Sequence, residues 1–533
     1  MKKIWPSLIL SVILVFGPAW PALADLKIFI TTDVHGQAVE EPAKGRIGYA
    51  RLKALAEAEA RAGHTVFLLD SGDAFSGSAY AQADHGRTIA EVMGLMGYRV
   101  LTPGNHAFDY NEAENNLLYY SEVLLPAVRA GLEGPLDVVA ENLSRNGEAL
   151  PGLTRAPVII YDQTEADPKS GLRLIVTGLI TPYTARPSLK GSLAGYDFGL
   201  LPDPAATREK ILAGLRESLK PFNRPRDVVV VLSHLGWVGP HGDPEGRISG
   251  PDLATVPNVD FIADGHTHQA IKPRQIGRAV YGNGGRYLET FLEISLGGDG
   301  RGRMELKRYG DLAGLTPDRQ IAEKLAELDR GQGLSEILFE TPDADLFSDR
   351  DIGRENTVLG RLICRAMIQA AGADFALHNV GGIRAGLPAG PVSARDLYDV
   401  LPFGDELVVV TMKGREILAE FERGSGHGGR GRPQFYGLRA YAWRNKGEGL
   451  EIVGLRKADD TPLDPESDYR VALNGFMARY LDRPAEKHGV LLEVLRRELK
   501  PGMSFEELQT PALLTFQTKE EALAAWGLRP QAP

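Results

Sequence analysis

The stretch Lys27-Ile-Phe-Ile-Thr-Thr32-Asp33-Val-His35-Gly36 sets an apolar, β-rich run directly against an Asp-x-His pair. The same construction recurs four times. TVFLLD at 65–70 leads to Gly72-Asp73, and YRVLTP at 98–103 leads to Gly104-Asn105-His106-x-x-Asp109. DVVVVL at 227–232 leads to Ser233-His234, and VDFIAD at 259–264 leads to Gly265-His266-Thr267-His268. Runs of this length and composition are buried strands, and polar residues at their ends belong to loops that can carry chemistry. Five of the chain's eleven histidines fall in these five motifs, which argues against scatter.

Between the strands, 47–62 and 205–219 carry helical periodicity. Strands alternating with helices predict an α/β layered domain over 25–312, with its chemistry at strand ends. Beyond it, 317–330 reads as a charged amphipathic helix and 341–351 as a polar stretch, so 313–346 is expected to be a helical linker. A second, smaller α/β domain is expected over 347–525. It would open with a helix at 359–371 and include strands at 406–412 and 469–473. The Gly-rich 424–431 reads as a mobile loop, and 526–533 as a disordered tail.

The first residues form a secretory signal. Lys2 and Lys3 precede an apolar run from Leu8 to Phe16, and Ala22-Leu23-Ala24 fits a cleavage site, leaving a mature chain that begins at Asp25. That run is too short to span a bilayer, so no membrane span is expected after cleavage. Removing two lysines moves the formal charge from −10 to −12. An acidic chain is a poor partner for nucleic-acid polymers, so an anionic substrate must be held by local positive charge or metal. With 43% hydrophobic and 24% charged residues the chain is globular, and its one cysteine, Cys364, cannot form an internal disulfide.

Imidazole and carboxylate donors together suit borderline cations such as Zn, Mn, Co or Fe, and the lack of cysteine donors argues against a structural zinc site. Two cations need a bridging anion, for which Asp73 is the candidate. Two metals about 3.5–4 Å apart can polarise a phosphoryl group and generate hydroxide near neutral pH. The expected cofactors are therefore two divalent ions (Mn, Zn, Co or Mg). His106 with Asp109 three residues later makes an imidazole whose tautomer and charge a carboxylate can fix.

The five motifs together resemble the calcineurin-type metallophosphoesterase superfamily, and specifically the secreted 5′-nucleotidase family. The resemblance implies a four-layer α/β/β/α sandwich in which Asp33, His35, Asp73 and His268 hold one metal. Asp73, Asn105, His234 and His266 would hold the other, and His106 and Asp109 would form the catalytic dyad. The family's GNHxFD motif commonly has Glu where this chain has Ala107. In the second half, Asn379-Val-Gly-Gly-Ile-Arg384 and Leu401-Pro-Phe403-Gly404 resemble motifs of the 5′-nucleotidase C-terminal domain. Arg350, Arg354, Asn379 and Arg384 are then implied phosphate-holding residues, and Phe403 and Phe476 a pair of rings that sandwich a base. One departure is plain. Arg479-Tyr-Leu-Asp482-Arg-Pro484 stands where the family has a Gly-Gly-Asp-Gly turn that holds the ribose.

The resemblance implies a periplasmic or secreted enzyme that releases phosphate from nucleotides by in-line attack of metal-activated water, its domains rotating about the linker. UDP-sugar or 2′,3′-cyclic nucleotide hydrolysis on the same site, a thiosulfohydrolase-like activity and a catalytically inactive binding protein are the alternatives. The expected partner is a small phosphate ester.

Overall fold

The computed structural model describes residues 25–527 apart from 111–118, 166, 168–170, 185–194, 240–242, 244, 298–299, 350, 426–431, 446–448 and 482. The signal sequence, the end of the tail, most of the Gly-rich 424–431 stretch, Arg350 and Asp482 therefore lie outside the described residues.

Two six-stranded sheets form the first domain. In the first, Leu26–Thr31, Thr65–Asp70 and Tyr98–Leu101 run parallel, with the antiparallel Thr290–Leu296 on the other side of Leu26–Thr31. In the second, Arg173–Ile180, Asp227–His234, Phe261–Asp264 and Ala279–Gly284 run parallel. Alternation of side chains across each strand builds the layers. Ile28, Ile30, Leu69 and Val100 from one sheet meet Leu174, Val176, Val230, Leu232 and Ala263 from the other. Phe29, Leu68 and Leu101 face the opposite way, under Leu52, Ala56, Ile89 and Met93 of the helices Tyr49–Arg61 and Arg87–Met96. Ile175, Val229 and Ile262 lie under Ile211, Leu212 and Leu215 of the helix Pro204–Leu219. The order is helix, sheet, sheet, helix, as the sequence reading expects. All eight residues of Asp227–His234 are buried, which explains why that strand reads as one continuous apolar run.

A smaller α/β unit follows. Its five-stranded sheet has Phe375–His378 and Asp468–Asn474 at its centre, flanked by Gln434–Tyr436 and Glu406–Lys413, with Glu486–Val490 at the edge. The helix Val358–Ala371, capped by the Thr357 side chain, packs on that sheet. Within the stretch read as a helical linker, Arg319–Gln332 is a helix. Ile337–Thr341, however, is a strand paired antiparallel with Gly390–Ser393. Its Leu338 and Phe339 are buried, so this short segment belongs by packing to the second unit.

Candidate metal centre

Parallel strands deliver their C-terminal ends to one edge, and all five motifs emerge there. Asp33 and His35 follow Leu26–Thr31, Asp73 follows Thr65–Asp70, and Asn105 follows Tyr98–Leu101. His234 ends its strand, and His266 and His268 follow Phe261–Asp264. Asp33, His35, Asp73, Asn105 and His234 are buried. His268 Nε2 lies 3.0 Å from His35 Nε2 and 3.4 Å from Asp33 Oδ1. His234 Nε2 lies 2.9 Å from Asp73 Oδ2 and 3.9 Å from Asp33 Oδ1. Asp73 Oδ2 is also 4.0 Å from His35 Nε2. The His266 ring sits 5.4 Å from that of His234.

These atoms make two groups able to hold a cation, Asp33 with His35 and His268, and Asp33 with Asp73 and His234. The two groups share Asp33, whereas the family resemblance gives the shared role to Asp73 alone. Both carboxylates stand between the two halves of the centre.

The backbone around the centre is unusual. Asp33, His35, Asp73, His266 and His268 all have positive φ, between 48° and 73°. Non-glycine residues adopt this left-handed conformation at a cost, and the cost persists where the surrounding fold enforces it. Backbone carbonyls orient the imidazoles. Ser76 O lies 2.9 Å from His35 Nδ1, and Ser71 O lies 2.8 Å from His234 Nδ1. A carbonyl can only accept, so each Nδ1 carries the hydrogen and each Nε2 turns toward the centre. Thr32 Oγ1 donates to Asp33 Oδ2 at 2.7 Å, and the His266 N–H donates to the same oxygen at 2.9 Å.

The donor set fits divalent cations. Nitrogen and oxygen donors converge without any thiolate, and among the described residues the buried Asn105 Oδ1 has no hydrogen-bond partner, as expected of an oxygen reserved for a ligand. Electrostatics agrees. Burial acts against charge on His234, but Asp73 and Asp33 outweigh it and raise the ring to about 10. Burial, with His106 and His268 nearby, lowers His35 to about 3 despite Asp73.

His106 stands at the mouth. Its backbone N–H donates to Asp73 Oδ1 at 2.9 Å, and its Nδ1 lies 2.6 Å from Asp109 Oδ2. Burial opposes a charge on this ring, yet Asp109 and Asp73 raise its pKa above the usual histidine value.

The family model described as 5′-nucleotidase, C-terminal domain, matches residues 339–485. The chain is 27% identical over 440 residues to the 5′-nucleotidase of Vibrio cholerae, covering 74% of each protein. It is 26% identical over 497 residues to the trifunctional nucleotide phosphoesterase protein YfkN of Bacillus subtilis, covering 86% of this chain and 32% of that one. The chain thus spans about a third of YfkN. Its fold is like that of the 5′-nucleotidase precursor from Thermus thermophilus, with a TM-score of 0.67 at 23% identity, over 93% of this chain and 100% of that one. Residues 339–485 belong to the 5′-nucleotidase C-terminal domain family, and the chain as a whole is similar to 5′-nucleotidases.

The family's C-terminal domain brings some of the remaining sequence candidates to the metal centre and not others. The Phe403 ring stacks on His106, with centroids 6.0 Å apart and planes 19° apart. The Arg384 guanidinium lies 5.7 Å from the Phe403 centroid and is close enough to oppose the charge on His106. Asn379 Oδ1 accepts from Asn474 Nδ2 at 2.7 Å, and that nitrogen also donates to Asp405 at 2.8 Å. Phe476 makes its ring contact with Tyr480, at 5.5 Å. Among the described residues no ring contact joins Phe403 to Phe476. Arg354 is 85% exposed, with Asp351 its nearest carboxylate at 3.9 Å.

The sequence reading missed Tyr287. It also has positive φ, its N–H donates to Asp33 O at 2.8 Å, and its ring lies 5.9 Å from both His35 and His268. Arg46 and Arg286 sit 5.4 and 4.8 Å from its centroid. A Tyr followed by Leu in an apolar run carries no local mark of this role. Its place after Ala279–Gly284, another parallel strand reaching the same edge, was the available signal.

Proposed function

We propose that this chain is an exported phosphohydrolase with a two-metal centre, acting as a 5′-nucleotidase that releases phosphate from nucleotides. The observation that supports the reading is the meeting of Asp33, His35, Asp73, His234 and His268 from both sheets at one edge, with His106 beside Asp73. Asp33, His35, Asp73, Asn105, His234, His266 and His268 would hold two divalent cations. Such ions, when bound, polarise the phosphoryl group and supply a nucleophilic water near neutral pH.

The chain's own residues do the rest. His106, kept protonated by Asp109, donates toward the phosphoryl oxygens or the leaving group as charge builds. Arg384 presents a guanidinium fork suited to a phosphate at the same place. Phe403 offers an aromatic face to a base, and such stacking contributes about 1–3 kcal/mol. Asn379, fixed by the hydrogen bond from Asn474, is the remaining candidate to hold the phosphate. The names of the relatives, a 5′-nucleotidase and a nucleotide phosphoesterase, support nucleotides as the substrate class. The N-terminal signal supports a periplasmic or secreted location, and no described helix is long and apolar enough to cross a membrane.

Phosphate release from AMP, UDP-glucose, 2′,3′-cyclic AMP and an aryl phosphate, with Mn, Co, Zn or Mg added, tests the reading. AMP is expected to be the preferred substrate, with chelator abolishing turnover. Aryl phosphate cleaved with no preference for any nucleotide would remove the base-stacking role while sparing the metal centre.

A further inference from the structure

Three candidate substrate contacts of the second unit stand at neighbouring strand ends. Phe375–His378 stops just before Asn379, and Asp468–Asn474 stops just before the short helix Gly475–Ala478 that carries Phe476. Glu406–Lys413 begins directly after Phe403, Gly404 and Asp405. Asp468–Asn474 is the middle strand of the three, parallel to the first and antiparallel to the last. Its last residue, Asn474, therefore lies between all three ends.

The Asn474 side chain is fully buried. A buried amide must find partners for its nitrogen and its oxygen. Nδ2 donates to Asn379 Oδ1 at 2.7 Å and to Asp405 Oδ2 at 2.8 Å. Oδ1 accepts from the Met477 N–H at 3.4 Å and so caps the helix that carries Phe476. The carboxylate of Asp405 fixes the orientation, because a carboxylate oxygen accepts and must face the amide nitrogen. The Asn379 atom on the other side of that nitrogen is then its oxygen.

The consequence falls on Asn379. It precedes the short helical turn Val380–Gly382, where an asparagine ordinarily turns its own oxygen onto the first N–H groups of the turn. Asn379 makes no such bond. Its oxygen is held by Asn474 instead, which leaves Nδ2 as the group free to serve a ligand, with no acceptor among the described residues. Phosphate oxygens accept, so this orientation attracts a phosphate and the reverse one repels it.

We propose, resting on the nucleotidase reading above, that Asn474 is a positioning residue for substrate binding: by holding Asn379 Oδ1 it turns the N–H donors of Asn379 toward the substrate. Asn474 itself touches no substrate.

Steady-state kinetics on AMP with Mn tests this. Asn474→Asp keeps the shape and the cap but removes both donors, so Asn379 must reverse its amide to donate to the introduced carboxylate. KM for AMP should rise by at least about 10-fold, with kcat held within about threefold. Asn474→Ala leaves Asn379 able to turn either way, so KM should rise less. A purely structural role gives the opposite order, because alanine removes more buried atoms. In an Asn379→Ala chain, either substitution at Asn474 should change KM by less than about twofold, since the group it acts through is gone. That cycle with Asn474→Ala serves if Asn474→Asp does not fold. An unchanged KM in Asn474→Asp, a larger rise in Asn474→Ala, or a rise that survives in Asn379→Ala would overturn the proposal and spare the nucleotidase reading. A wild type that does not turn over AMP would overturn both.

Discussion

At the scale of single residues, the centre concentrates backbone conformations that most side chains avoid. Five of the seven candidate donors are left-handed, and glycines fill the gaps where backbone must pass close to a carboxylate. A Cβ on Gly265 would collide with the side chains of Thr32 and Asp33. Gly265→Ala should therefore weaken metal binding by driving a methyl group into Asp33, which titration of the purified variant with Mn would measure. His106→Asn should lower kcat by about 10²–10⁴ with metal content unchanged, because it removes the proton donor and none of the seven donor side chains. Undiminished turnover would take His106 out of the mechanism. The five residues that the fold gathers, Asp33, His35, Asp73, His234 and His268, were legible as candidates because Asp and His stand behind apolar runs, a pattern that packing alone does not produce. Tyr287 was not, since an aromatic against two imidazoles is a property of three dimensions.

At the scale of elements, the strands explain why the motifs recur. The parallel strands are buried at most positions and wholly so toward their C-terminal ends, so their sequences are apolar to the end and turn polar where they leave the sheet. The run at 65–70 coincides with the strand Thr65–Asp70, and the run at 227–232 falls inside Asp227–His234. Ile337–Thr341 escaped notice because its alternation spans five residues beside a strongly helical stretch. One element carries a pH signature. Glu141 leaves the first sheet and reaches Thr177 in the second, where burial raises its pKa from 4.5 to about 7 against the opposing Thr177 hydroxyl. A carboxyl with a raised folded-state pKa contributes stability that is full below about pH 4.5 and lost as pH rises through about 7. Glu141→Gln should be more stable than wild type at pH 8 by up to about 3 kcal/mol, and the difference should vanish toward pH 4. Thermal unfolding of both proteins across this range is the check. A difference independent of pH would refute it.

At the scale of the whole molecule, the second unit packs on the first through one shared apolar cluster, and polar contacts join it to the edge that carries the candidate donors. Asp399 accepts from Gln37 Nε2 at 2.9 Å and lies 3.6 Å from the Arg46 guanidinium. Gln82 donates to the Pro402 carbonyl, and Phe403 covers His106. Partners nearly three hundred or more residues apart leave no trace in local sequence, so this docking could not be read there. Asp399→Ala should loosen it by about 1–3 kcal/mol, since Gln37 and Arg46 lose a buried acceptor. Small-angle scattering should then show a larger radius of gyration, and KM for AMP should rise several-fold while aryl phosphate turnover holds. An unchanged radius and KM would show that these contacts do not hold the domains together.

The proposed function requires two cations at a single edge of the paired sheets. Metal analysis by mass spectrometry, after equilibrating the mature chain with Mn and removing free ion, tests this most directly. Two ions per wild-type chain and no more than one in Asp73→Ala are predicted. A folded wild-type chain that retains at most one ion, or an Asp73→Ala variant that still retains two, would contradict it.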